Sequence, residues 1–317
     1  MTQRNVRHAN MIIPALSLTQ AEPDFRAAFC DSLKQTGFAR IVDHGIDTQR
    51  LQSAYQSLKE LFDLPLTCKQ RYELANLGQR GYTGFGKEKA KGQTLGDLKE
   101  FWHIGKELPA NSVYRHVYPK NRWPAELPYF KGEFLRLYAD LEEIALFLLA
   151  HISTHFKIEN AYFPSLVNEG NSVLRLIHYP PVKGLNTQNQ MRAAPHADIN
   201  LMTLLVGATD SGLELLDKHG KWQAVHTGPN EIIVDTGDMM ALITGNTLPS
   251  TVHRVINPDS YTTGNDNKPR YSMPFFLHPH SNAVLECLPQ FENSQPCKAI
   301  SAGDFLEQRL RENGLMS

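Results

Sequence analysis

Several things are missing from this 317-residue sequence, and each absence closes off a class of function. Its four cysteines, Cys30, Cys68, Cys287 and Cys297, form no CxxC pair, so a structural zinc held by thiolates is not expected. No stretch approaches the roughly 18 apolar residues of a membrane span. The opening MTQRNVRHANMIIPAL lacks the apolar run of a secretory signal. A cytoplasmic protein with free thiols and no membrane partner is therefore expected. Charge of one sign is also missing: 32 Lys and Arg stand against 33 Asp and Glu, a net charge of −1. With no basic block or acidic tail there is no long-range field to gather nucleic acid, and none is expected as a partner. Repeats and low-complexity segments are absent too. What remains is an ordinary globular composition, 41% hydrophobic, in a chain long enough to bury a core without disulfides.

The first half reads as mainly helical. Phe25, Ala28, Phe29 and Leu33 recur at helical spacing, and Thr36-Gly37 supplies a stop. The apolar run Phe38 to Val42 reads as a strand. Asp47 or Thr48 caps a second helix bearing Leu51, Ala54, Tyr55, Leu58 and Phe62. Residues 76–96, rich in Gly and Lys, read as a mobile surface segment. Leu127, Phe130, Phe134, Leu137, Leu141, Ile144, Leu148 and Ile152 then mark one helix of about eight turns. From residue 172 the period shortens. Strands are expected at 173–179, 199–206, 213–216, 221–225, 231–234, 239–243, 251–256 and 271–277, punctuated by turn residues. Eight short strands in about a hundred residues fit a double-sheet jelly roll. The expected fold is α+β, a double-stranded β-helix core with a helical N-terminal region packed against it. Its parts are residues 1–120, mainly helical; 121–170, a long supporting helix; 171–280, the jelly-roll core; and 281–317, a C-terminal extension. With no linker between the halves, they are expected to form one cooperative unit.

Pro195-His196-Ala197-Asp198 carries the chemical argument. On an extended strand alternate side chains leave the same face, so His196 and Asp198 can share one metal ion. His253 is the leading third ligand. Two histidines and one carboxylate leave one side of a metal open, as an Fe(II) oxygenase requires. Alone, a His-x-Asp tripeptide is a weak signal and usually a surface hydrogen bond. A second feature strengthens it. Arg270-Tyr271-Ser272 follows His253 by 17 residues, and alternation puts Arg270 and Ser272 on one face, a fork and a hydroxyl suited to a carboxylate.

His-x-Asp, His and Arg-x-Ser in this order and spacing resemble the isopenicillin N synthase-like family of Fe(II)/2-oxoglutarate oxygenases. Ile13-Pro14-Ala15-Leu16, the run Gly37 to Ile46, Phe62-Asp63-Leu64-Pro65, Arg80-Gly81-Tyr82, the run Lys99 to Gly105 and His178-Tyr179-Pro180-Pro181 extend the likeness across roughly residues 12–280. The resemblance implies a non-haem dioxygenase N-terminal region before the catalytic core. It also implies Fe(II) on His196, Asp198 and His253, with no catalytic side chain beyond the metal centre. Arg270 and Ser272 would grip the distal carboxylate of 2-oxoglutarate, joined by the Tyr179 hydroxyl. The implied reaction decarboxylates 2-oxoglutarate to succinate and CO2 while O2 oxidises a small-molecule substrate, most simply by hydroxylation; ascorbate is a candidate reductant.

Substrate-pocket candidates are Asn200, on the face of Asp198 by alternation; Arg175, on the face of Tyr179; and Tyr82 and Phe101, within a wall or lid at 80–105 that includes Arg80. His44, His103, His178, His226, His278 and His280 have no ligand spacing and read as packing or surface. Competing readings are a member of the family that does not use 2-oxoglutarate, an ethylene- and succinate-forming member, a non-catalytic metal-binding jelly roll, and a zinc hydrolase. The last would leave Arg-x-Ser without a purpose. Substrate identity, oligomeric state and the meaning of residues 281–317 are not legible.

Overall fold

Most helices form where apolar spacing and capping residues place them. The computed structural model describes residues 13–74, 79–88, 95–181, 190–257, 268–291 and 298–312. After strand β1 (Ala15–Ser17), helix α1 (Glu22–Thr36) buries Phe25, Phe29, Cys30 and Leu33. Gly37 ends it in the left-handed region, φ 72°, its N–H donating to Leu33 O. A side chain there has no room, because its Cβ would lie 2.5 Å from Thr251 Oγ1 and 2.7 Å from Pro249 O. Strand β2 (Phe38–Val42) leads to helix α2 (Thr48–Asp63), whose Asp47 cap accepts from Gln49 N–H at 3.0 Å. Helix α3 (Leu66–Gln70), strands β3 (Gly81–Thr83) and β4 (Glu100–Gly105), and the 27-residue helix α4 (Phe130–Phe156) follow. One face of α4 is buried from Phe130 through Ile152, and Tyr138 meets Phe275 edge-on at 4.9 Å. Helix α5 (Tyr162–Val167) then leads into the sheets.

The core strands are β5 (Val173–Tyr179), β6 (Ala193–His196), β7 (Met202–Val206), β8 (Leu213–Leu216), β9 (Trp222–Ala224), β10 (Ile232–Thr236), β11 (His253–Val255) and β12 (Arg270–Leu277). They make two facing sheets. The larger runs β1-β2-β10-β7-β12-β5-β4-β3, and the smaller runs β6-β11-β8-β9. Between β10 and β11 lies helix α6 (Asp238–Ile243), and the chain continues through a small pair, β13 (Val284–Leu285) and β14 (Ile300–Ser301), to helix α7 (Ala302–Glu312). Four of the eight jelly-roll strands are thus flanked in the larger sheet by four strands from the first 120 residues. The N-terminal region is therefore joined to the core by backbone hydrogen bonds as well as by packing. Among the described residues no helix is long and apolar enough to cross a membrane, and Cys30 and Cys68 are free thiols.

Three local expectations are corrected. Residues 239–243 are helix, not strand: Met239 to Ile243 is a continuous apolar run, whose buried form cannot be told from a strand by periodicity. The strand expected at 199–206 begins at Met202, while an unanticipated strand, β6, ends at His196, so Asp198 sits just past it in irregular chain. The surface reading of 76–96 holds at Phe85, Gly86, Lys87 and Leu95, which are exposed, and fails from Arg80 to Gly84. Gly81–Thr83 pairs with β4, and Arg80 and Tyr82 are each 1% exposed. Three residues are too few for a period to register. Residues 75–78 and 89–94 lie outside the described chain, as does Cys297.

Candidate metal centre

The smaller sheet delivers both imidazoles. His196, the last residue of β6, is the antiparallel partner of His253, the first of β11, and their ring centroids are 4.5 Å apart. Phe38, just after the Gly37 turn, meets His253 edge-on at 5.8 Å. Asp198 completes the group: Oδ1 lies 3.9 Å from His196 Nε2 and 3.7 Å from His253 Nε2. One donor atom from each of the three lies within 4.8 Å of the others.

These groups fit a divalent metal, because each is held in the orientation a ligand needs. The Nδ1–H of His196 donates to Ala194 O at 2.7 Å, and that of His253 to Thr251 O at 3.2 Å, which leaves both Nε2 lone pairs facing Asp198. Burial, then the neighbouring His253, pushes His196 down to about 4, so it is neutral at pH 7. Burial works to raise Asp198, but the two imidazoles and the Thr203 hydroxyl outweigh it and hold the carboxylate below its usual range. The Thr203 hydroxyl donates to Asp198 Oδ2, and Asn200 Nδ2 donates to Thr203 Oγ1 at 2.9 Å. The first turn of α6 fixes the main chain: Asp238 N–H donates to Asp198 O at 2.8 Å and Met239 N–H to Ile199 O at 3.1 Å. Behind this pair Asp235, the cross-strand partner of Thr203, is raised well above the usual carboxyl range by burial and by Asp198.

A narrow cavity of about 60 Å³ runs from the triad toward β12 and is lined by Tyr179, Arg270, Ser272 and Thr203. Arg270 and Ser272 are each 2% exposed and share a face of β12, with Nη1 3.4 Å from Ser272 Oγ. Arg270 pairs in register with Tyr179, its guanidinium 4.9 Å from the ring centroid, while Nε–H donates to Asp210 O at 3.1 Å.

A larger cavity of about 380 Å³ opens on the other side of the triad. Arg175 lines both cavities, and its Nε–H donates to His103 Nε2 at 2.5 Å. Asn200 reaches the larger cavity, although irregular chain rather than strand alternation puts it there. Tyr82 and Phe101 are not in its wall. The Tyr82 hydroxyl donates to Glu100 Oε2 at 2.5 Å in a buried cluster with Lys69, and Phe101 packs behind Arg175, 4.4 Å from its guanidinium. Phe101 leaves the same face of β4 as His103, with ring centroids 4.7 Å apart, but only the imidazole reaches the cavity. His103 and His278, expected to be packing or surface, line the cavity. Sequence reasoning missed Lys99, Glu88 and Asp97, a buried cluster in which Lys99 Nζ lies 2.9 Å from Asp97 and 3.2 Å from Glu88. It also missed α7, whose Leu306, Arg309 and Leu310 close one side. The amphipathic pattern of α7 was there to be seen, but nothing local says what its apolar face covers.

A two-histidine, one-carboxylate centre open on one side, inside a jelly roll, defines a mononuclear non-haem iron oxygenase. Known proteins agree. The family model for the non-haem dioxygenase N-terminal region, described for morphine synthesis, matches residues 13–126, and that of the 2OG-Fe(II) oxygenase superfamily matches 170–279. A 2-oxoglutarate-dependent dioxygenase of Monascus ruber is 31% identical over 266 residues, covering 80% of this chain and 77% of the relative. A 2OG-Fe(II) oxygenase family protein from Caulobacter crescentus superposes with a TM-score of 0.85 at 40% identity, over 95% of this chain and 98% of that one. A full-length Neurospora crassa protein crystallised with alpha-KG and thymine gives 0.83 at 26% identity, over 96% and 98%. The chain belongs to the isopenicillin N synthase-like family of Fe(II)/2-oxoglutarate-dependent dioxygenases.

Proposed function

We propose that the narrow cavity holds 2-oxoglutarate, with Arg270 and Ser272 on its distal carboxylate and Tyr179 beside them, and that the larger cavity holds a small organic molecule that becomes hydroxylated. The observation that carries this is a buried guanidinium and hydroxyl on one strand face, at the end of a cavity whose other end is the triad. His196, Asp198 and His253 would hold Fe(II), which when bound supplies O2 activation coupled to decarboxylation of the 2-oxo acid. The chain's own part is placement. Arg270 orients the co-substrate through a fork that stays charged. Thr203 and the α6 turn keep Asp198 from swinging. The walls of the larger cavity limit water and aim one C–H bond of the substrate at the metal.

The larger cavity, at about 380 Å³, falls in the range typical of small-molecule sites. Ascorbate is proposed as the reductant that restores ferrous iron after unproductive turnover. The direct test is anaerobic purification, reconstitution with Fe(II), and measurement of succinate formed from 2-oxoglutarate across small-metabolite pools. Expected is a slow basal rate that one class of metabolite stimulates. Failure to form succinate with any pool would remove the reading.

A further inference from the structure

Among the described residues, the four Lys and Arg side chains that line the larger cavity are not equally satisfied. Lys99 is paired with Asp97 and Glu88, Arg175 with Glu88, and Arg309 with Asp238 and Glu312. Arg80 differs. It is 1% exposed, and its hydrogen bonds go to neutral oxygens: Nη1–H donates to Gln79 O at 2.6 Å and Nη2–H to Asn171 Oδ1 at 2.8 Å. Its Nε–H has no acceptor among the described residues. Glu107 acts on it without a hydrogen bond, its carboxylate accepting from Asn121 Nδ2 at 3.0 Å. Burial pushes Arg80 down only to about 10, so it is charged at neutral pH. A buried charge without a counter-charge is expensive.

Arg80 lines the cavity, and a glycine packs over its guanidinium. A Cβ built on Gly105 would lie 2.1 Å from Cζ, Nε and Nη2 of Arg80 alike. Three equal distances put Gly105 over the flat face of the guanidinium, so its in-plane N–H groups point elsewhere. His278 lines the same cavity and presents a buried Nδ1 with no partner among the described residues. Asn171, anchored by its N–H to Pro279 O at 3.2 Å, holds Arg80 beside it. Val173, Ile199 and Phe276, with Leu306 and Leu310 of α7, supply apolar wall.

Resting on the proposed function, we propose that Arg80, with His278 and Asn171, forms a substrate-carboxylate subsite, so that the oxidised molecule is a small organic acid with an apolar body. The acid supplies the missing counter-charge and lies against the apolar wall, its C–H bonds toward the triad. This subsite is separate from the Arg270 end of the narrow cavity, which takes the co-substrate.

The test uses the full chain loaded with redox-inert Mn(II) and saturated with 2-oxoglutarate. A panel of monocarboxylates from hexanoate to indole-3-acetate, each beside its primary amide, is titrated by calorimetry. Several acids are expected to bind at least tenfold tighter than their amides, roughly the worth of one charged hydrogen bond. That preference should vanish in Arg80→Gln and weaken in Arg80→Lys, which keeps the charge and loses the fork. Should Arg80→Gln fail to fold, Gly105→Ala, whose methyl displaces the guanidinium, is expected to cut the preference several-fold. Equal binding of acids and amides, no binding by any acid, or a preference intact in the folded variants would overturn the proposal. A titration of wild-type protein with 2-oxoglutarate, run in parallel, tests the co-substrate reading separately.

Discussion

The two sides of the metal centre are built differently. The side proposed for the co-substrate is made from jelly-roll strands: Tyr179 on β5, Thr203 on β7, and Arg270 and Ser272 on β12, neighbours in one ladder. Its geometry follows from pleat and register, and its cavity is small. The substrate side is assembled from distant pieces, Arg80 before β3, His103 on β4, Asn171 before β5, His278 after β12 and Leu310 on α7. Most of these pieces lie at strand ends or outside the jelly roll. Under the proposed assignment the difference teaches that the strand ladder holds the shared reagents, while the molecule to be oxidised meets side chains gathered largely from outside it.

Four substitutions sharpen or break that comparison. Asp198→Ala should have the largest effect, abolishing succinate formation; retained turnover would dissolve the centre common to both sides. Arg270→Leu should raise the 2-oxoglutarate concentration needed for half-maximal turnover at least tenfold, since a charged hydrogen bond is worth roughly 1.5–3 kcal/mol. An unchanged titration would show that the strand side is not the co-substrate side. Leu310→Ala should raise KM for the stimulating substrate several-fold, the three carbons removed from this half-buried wall being worth together roughly 1 kcal/mol, while KM for 2-oxoglutarate stays within about twofold. A matched change in both constants would mean the sides are not independent. Gly37→Ala should act least on chemistry and mainly on stability, by roughly 1–3 kcal/mol, because a strained left-handed backbone and a contact with Thr251 are forced together. A thermal melt reads this, and an unchanged Tm would show that the turn behind His253 yields freely.

The same division explains what was legible in the sequence. Period-two runs revealed β5, β8 and β12, and the spacing of His196, Asp198, His253, Arg270 and Ser272 revealed which ends meet, because strand pairing repeats. Strand alternation puts Asp198 in the right neighbourhood by the wrong local geometry: the strand stops at His196, and α6 holds the next residues in place. That helix was itself read as a strand, since five apolar residues in a row carry no phase. Arg80 was visible as part of a motif but not as a buried, unneutralised cation, which depends on Asn171 and Gly105 arriving from elsewhere. Leu306 and Leu310 were illegible for the same reason, as α7 reveals its apolar face but not what lies beneath it.

His196 and His253 stand opposite one another on a single antiparallel rung. Side chains flip faces with each residue, so a slip of one position between β6 and β11 would turn an imidazole outward. Mispairing here would therefore yield molecules unable to take up iron at all, rather than a population of sluggish ones. Metal uptake by a freshly refolded sample counts, molecule by molecule, how many chains have found the correct alignment.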